Sequence, residues 1–216
     1  MPHIEPFVFQ TERRLVVLTG KRARNLNEMI KNIRQVSGSS IFYHTHHQYL
    51  SHHFEKPVFH NDFAIWVSSA LLEEPLSEKL TAIDLLAFGS IRQLREAILD
   101  TMENYLKEIG GRLRDCLPGD EFHFCESKSF IMPSGLIAKD IPDFFTVLPI
   151  VTNTSLFFHF FEARLRLERP TNDFSAWFGY CGAEKLNPYL MTMEELKEEI
   201  LKLGVSEGIK HDGCIA

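Results

Sequence analysis

Six of the ten histidines in this 216-residue chain lie between His44 and His60, several of them in the run Tyr43-His44-Thr45-His46-His47. On a helix, positions i and i+3 share a face, so His44 and His47 can present two imidazoles to one point. A second segment, Leu156-Phe157-Phe158-His159-Phe160-Phe161-Glu162, places His159 and Glu162 at the same spacing in a stretch that is otherwise apolar. Polar groups inside an apolar helix need partners. If the two helices face each other, His44, His47, His159 and Glu162 converge as three nitrogens and one carboxylate. That set suits Zn²⁺ or a non-haem transition metal. Asp62 and Asp173, in the paired motifs Asn61-Asp62 and Asn172-Asp173, are the candidate bases or second-sphere carboxylates. Capping a helix needs only one residue of each pair, which leaves the aspartate over.

The same residues support a plainer reading. His44 and His159 can instead be core histidines, each bonded to a carbonyl. Glu162 and Arg166 are spaced for an i, i+4 ion pair. His52, His53 and His60 have no counterpart near His159 and read as surface residues. Gly20-Lys21-Arg22-Ala23-Arg24-Asn25 leads into a helix start that could receive an anion. It lacks phosphate-loop spacing and reads as a turn plus a cap.

The correspondence between the two segments extends along the chain. Residues 7–49 laid over 122–164 without a gap give eight identities, among them Phe7/Phe122, Gly20/Gly135, Val36/Val151 and His44/His159. Many mismatches keep their character, as in Thr19/Ser134, Asn25/Asp140 and Tyr43/Phe158. After a length change, Asn61-Asp62-Phe63-Ala64-Ile65-Trp66 matches Asn172-Asp173-Phe174-Ser175-Ala176-Trp177, so the chain's two tryptophans are paired. Such self-similarity predicts two tandem diverged repeats. Copy one is 1–115, copy two 116–205, and 206–216 is a flexible tail.

The elements of each copy follow from apolar spacing and caps. Short strands are predicted over Pro6–Gln10, Arg14–Thr19, Glu121–Cys125 and Ser129–Met132. Helices follow near Asn25–Val36 and Asp140–Val151, the second shortened by Pro149. Further helices open after Ser37-Gly38-Ser39 and Thr152-Asn153-Thr154, at Asn61 and Asn172, and at Ser90 and Thr192. The fold class is α+β, mainly α: each repeat is short strands followed by several helices, and the two share one core.

Composition bounds the partners. A net charge of −6 and only short basic clusters speak against nucleic acid as the main partner. No apolar run is long enough to span a membrane. The N-terminus lacks the pattern of a secretory signal, and the four cysteines form no C-x-x-C pair, which predicts a cytoplasmic protein with reduced thiols. No hydrolase, zincin or dinucleotide motif is present.

The pattern Ser39-Ser40-Ile41-Phe42-Tyr43-His44-Thr45-His46-His47, then Asn61-Asp62-Phe63-Ala64 with Trp66, then Phe161-Glu162-Ala163-Arg164-Leu165-Arg166-Leu167, resembles an uncharacterised prokaryotic family, a domain of unknown function. The resemblance spans nearly the whole chain and implies a stand-alone protein, with no activity or catalytic residue to carry over. Two functional readings follow. One is metal binding or metal-dependent catalysis where the repeats meet. The other is a non-catalytic protein-interaction or regulatory module with structural histidines, acting on a protein partner or as a homo-oligomer.

Overall fold

The computed structural model describes residues 5–51, 61–111, 114–163, 171–178, 186 and 191–208. Its elements in chain order are β1 (Phe7–Ala23), α1 (Leu26–Gln35), α2 (Gly38–Ser51), α3 (Asp62–Ser69), α4 (Glu74–Thr81), a 3₁₀ turn (Leu85–Ala87) and α5 (Ile91–Glu108). Then come β2 (Phe122–Ala138), α6 (Ile141–Val147), a 3₁₀ turn (Leu148–Ile150), α7 (Asn153–Phe157), a π-helical turn (Phe158–Glu162), α8 (Asp173–Phe178) and α9 (Met193–Gly208). The chain is mostly helical, and the two strands form one antiparallel two-stranded sheet.

Two strands of 17 residues replace the four short ones expected. Phe7 and Phe9 are buried at alternate positions, but the next buried residue is Glu12; in β2, Phe122 and Phe124 are followed by Ser127. The inward phase slips by one residue, which reads in sequence as a break although the backbone stays extended. Gly20 and Gly135 also looked like strand ends. They adopt φ of +77° and +82° inside the strands, a state that costs other residues steric strain. Each is held by the preceding hydroxyl. Thr19 Oγ1 donates to the Phe124 carbonyl and accepts from the Lys21 N–H. Ser134 Oγ donates to the Phe9 carbonyl and accepts from the Leu136 N–H.

The chain divides into two compact units that cut across sequence order. Counting described residues, one unit comprises 14–51, 61–111 and 114–129, and the other 5–13 and those from 130 onward. Each unit therefore holds part of each strand.

In the first unit, Asn25 caps α1 by accepting from the Glu28 N–H, and the Glu28 carboxylate accepts from the N–H of Arg24, one residue before the cap. Leu26, Met29, Ile30 and Ile33 form the buried stripe of α1, as the helical spacing predicts. Ser90 caps α5, whose buried face is Leu94, Ile98, Leu99, Met102 and Tyr105. Helix α4 and the 3₁₀ turn after it were not anticipated. Pro75 near the start of α4 is compatible with a first helical turn, and Leu76 and Leu80 bury its inner face.

In the second unit, Asp140 caps α6, and the helix gives way to a 3₁₀ turn at Pro149. A proline lacks the N–H that the α-helical ladder requires there. Thr192 caps the start of α9 through Oγ1 and the Glu195 N–H, and Leu196 and Ile200 are buried on its inner side. Residues 206–208, expected as tail, continue α9; the rest of the expected tail lies outside the described residues. Aromatic rings dominate this interior, with Phe7, Phe9, Phe144 and Phe174 in mutual edge and stacked contact.

Candidate functional site: a buried histidine–aspartate pair in each unit

His44 lies on α2 and is 3% exposed. Three rings surround it: Phe122 at 4.7 Å, Phe63 at 5.5 Å and Phe124 at 6.0 Å between centroids. An imidazole in such surroundings must satisfy both nitrogens. Its Nε2 accepts the Cys125 backbone N–H at 2.9 Å. Because an amide nitrogen only donates, Nε2 carries no proton, and the ring is the tautomer with hydrogen on Nδ1. Nδ1 then donates to Asp62 Oδ2 at 2.8 Å. Asp62 is placed there by the helix start. Asn61 takes the cap position and accepts from the Ala64 N–H, so the Asp62 side chain in the first turn of α3 is available to the ring.

His159 lies in the π-helical turn and is also 3% exposed. It packs against Phe7 at 4.9 Å, Phe174 at 5.6 Å and Phe9 at 6.0 Å. Nε2 accepts the Gln10 N–H at 2.7 Å, and Nδ1 meets Asp173 Oδ2 at 2.8 Å. Asn172 caps α8 by accepting from the Ser175 N–H. The tryptophan of each motif makes a further bond from the same short helix. Trp66 Nε1 donates to the Asp120 carbonyl and Trp177 Nε1 to the Glu5 carbonyl, each at 2.7 Å.

Asp62 and Asp173, expected from sequence as bases or second-sphere carboxylates, each contact a buried histidine. His44 and His47 belong to one unit, His159 and Glu162 to the other. Among the described residues no group of three or more His, Cys, Asp or Glu is arranged to hold a metal. The physical reason is local: a metal would bind the Nε2 lone pair, and in both histidines that lone pair accepts a backbone N–H. His47 instead stacks on Tyr43 at 4.6 Å, and burial, helped by the charge of Arg14, lowers its pKa. Glu162 is half-buried in the π-helical turn. Its expected partner Arg166, like His52, His53 and His60, lies outside the described residues.

Sequence reasoning missed Cys125 and Gln10, the residues whose backbones close each pair. Nothing in their side chains could reveal this, because the interacting group is the amide. A Cys beside a His–Asp pair invites a nucleophilic reading. The electrostatics oppose it: burial and the negative charge of Asp62 both push the Cys125 thiol pKa up, away from the thiolate a nucleophile needs. In the basic turn before α1, Lys21 Nζ donates to the Gln35 side chain. The Arg24 guanidinium pairs with Glu28, which raises the arginine pKa and lowers that of the carboxyl. No helix among the described residues is long and apolar enough to cross a membrane.

This fold and its two buried pairs define a mostly helical α+β protein whose polar centres are built into its interior. The chain belongs to the Family of unknown function (DUF5752), whose family model matches residues 4–204. Its fold is similar to that of OrfY from Thermoproteus tenax, with 27% sequence identity, a TM-score of 0.81, and coverage of 94% of this chain and 95% of that one. The curated proteins give no match.

Proposed function

We propose that this chain is a non-catalytic protein-interaction or regulatory module, and that His44 and His159 are structural. One observation carries the reading: each buried imidazole is bonded at both nitrogens, to an aspartate on one side and a strand amide on the other. A general base or a metal ligand needs one of those positions open. Each ring instead ties three separate pieces of chain together, namely its own helix, the following helix start and a strand. Asp62 and Asp173 are then latch residues rather than bases.

We infer further that residues 1–115 and 116–205 are diverged copies of one ancestral unit. The support is that bonds recur between matched positions in the same order along the chain. Besides the pairs above, Arg95 reaches the Val36 carbonyl and Lys197 the Val151 carbonyl. Each compact unit takes part of a strand from the other copy, so the copies are fused by strand exchange.

Metal analysis of protein purified without a histidine tag tests the functional reading. The expected result is protein without stoichiometric Zn, Fe or Mn, and unchanged melting after chelation. Stoichiometric metal that disappears in both His44→Ala and His159→Ala, with the fold intact, would overturn it.

A further inference from the structure

The end of β1 and the outer face of α1 flank an open pocket of about 400 Å³, lined by Arg22, Arg24, Glu28, Lys31 and Asn32. Local structure puts these residues there. Ala23 is fully buried, and Arg22 and Arg24 on either side of it are exposed. On α1, Leu26, Met29, Ile30 and Ile33 turn inward, so Glu28, Lys31 and Asn32 face out. Asn32 Nδ2 donates to the Arg22 carbonyl at 2.8 Å, which ties the helix to the strand end.

We propose that this pocket binds a phosphate dianion, either free or as the phosphate group of a small phosphomonoester. The site is separate from the histidine latches and owes nothing to them. Arg22, Arg24 and Lys31 set against Glu28 leave two positive charges in a chain whose net charge is −6. A phosphate group carries about −1.5 to −2 at neutral pH. The Glu28 carboxylate is already committed, because it accepts from the Arg24 N–H and from the guanidinium through Nε and Nη2. Arg24 Nη1 is left for a further acceptor. Among the described residues, neither Arg22 nor Lys31 has a side-chain hydrogen bond or ion pair. Two carboxylates outside the lining, Asp115 and Glu121, act on Arg24 and Arg22 through their charge. They accept instead from Asn25 Nδ2 and the Gly119 N–H.

Donor geometry favours phosphate over a carboxylate. A planar carboxylate is satisfied by one edge of a guanidinium, as Glu28 is by Arg24. A tetrahedral group offers acceptors in several directions, which suits two guanidinium forks and an ammonium around one pocket. The start of α1 is not the source of the site, since Asn25 already takes the Glu28 N–H. The volume falls within the range of about 300–1,000 Å³ for small-molecule sites, which leaves room for the rest of a monoester. The other unit shows that folding does not require these cations. There the Lys139 N–H donates to the Asp143 carboxylate as Arg24 does to Glu28, and Asp140 caps α6. Yet Ile137, Thr146 and Val147 stand at the positions matched to Arg22, Lys31 and Asn32.

The test is a proton–nitrogen NMR titration of the full chain at low ionic strength and about pH 7.5, where phosphate is mainly a dianion. Inorganic phosphate and glycerol phosphate are the probes. Amides of residues 20–32 should shift saturably, with a Kd on the order of 1 mM or tighter. Tighter binding of glycerol phosphate makes an esterified ligand the source, and equal binding makes it free phosphate. Arg22→Gln with Lys31→Gln should weaken binding by at least about 10-fold. Both side chains are exposed, so circular dichroism should be unchanged. Arg92→Gln with Lys128→Gln removes the same charge outside the pocket and should leave binding intact. The absence of saturable shifts with either probe up to about 20 mM overturns the proposal. So does binding that survives Arg22→Gln with Lys31→Gln, an equal loss in the control, or equal affinity for succinate. None of these outcomes involves His44, His159 or metal content, so failure here is distinct from failure of the latch reading.

Discussion

If His44 is a latch, its removal should cost more than the burial of one ring. His44→Ala deletes a hydrogen bond to an ionised acceptor, which contributes about 1.5–3 kcal/mol. It also leaves the Cys125 N–H without its acceptor, at about 1–3 kcal/mol. A void opens among Phe63, Phe122 and Phe124. Relaxation and water entry reduce the sum, and the expected loss is about 4 kcal/mol, at the upper end for a single substitution. Asp62→Asn keeps an acceptor oxygen facing Nδ1 and should cost only about 1 kcal/mol. The decisive quantity is the coupling in the His44→Ala, Asp62→Ala cycle, expected near 2 kcal/mol because Asp62 is partly open to water, which can replace the ring as its partner. The two tryptophans provide the assay. Trp66 shares the unit of His44 and Trp177 lies in the other, so a Trp177→Phe background leaves one fluorophore that reports on urea unfolding of the relevant unit. A His44→Ala loss under about 1 kcal/mol, or a coupling indistinguishable from zero, would refute the latch. The same cycle on His159 and Asp173, read through Trp177 in a Trp66→Phe background, should give a similar coupling.

Two further predictions rest on other parts of the fold. Gly20→Ala and Gly135→Ala should each destabilise by about 1–2 kcal/mol in urea unfolding. A Cβ at either site meets no atom within 4 Å, so the left-handed backbone is the sole cause, and a neutral outcome would show that the strands relax there. Tyr105 donates to Glu73 at 2.6 Å, and burial together with that carboxylate pushes its pKa up to about 12. The unfolded chain loses this proton near pH 10 while the folded chain retains it. Between those values the unfolded state binds fewer protons, so stability falls as pH rises from about 10 to about 12. Tyr105→Phe should remove that part of the alkaline loss, and a wild-type and variant that lose stability in parallel over the window would contradict it.

The parts of the architecture legible in sequence were those set by local chemistry. Asn25, Asp140, Asn61, Asn172, Ser90 and Thr192 all stand at helix starts, because a short polar side chain before an apolar-periodic run satisfies amides that nothing else reaches. Pro149 ended its α-helix for an equally local reason. The strands were misjudged because their continuity depends on what covers each residue. Glu12 and Ser127 are buried where polar types suggest a turn, and the glycines sit inside the ladder rather than at its ends. Helix α4 was missed because its inward positions Leu76, Ser77 and Leu80 include a serine, whose hydroxyl bonds the Ala64 carbonyl. That partner is thirteen residues away and invisible to a pattern search.

The site divides along the same line. Spacing singled out His44, His159, Asp62 and Asp173 as polar residues of interest but did not pair each histidine with its aspartate. It could not distinguish a metal at the far nitrogen from an amide. Both present one polar atom to the same lone pair, and the amide belongs to a strand residue whose own side chain is Cys125 in one case and Gln10 in the other. That difference is itself informative. If the strand residue contributed chemistry through its side chain, a thiol and a carboxamide would not serve in the same place. Because only the backbone N–H is used, either is tolerated, as expected of a latch that selects the imidazole and the carboxylate and is indifferent to the third partner's type.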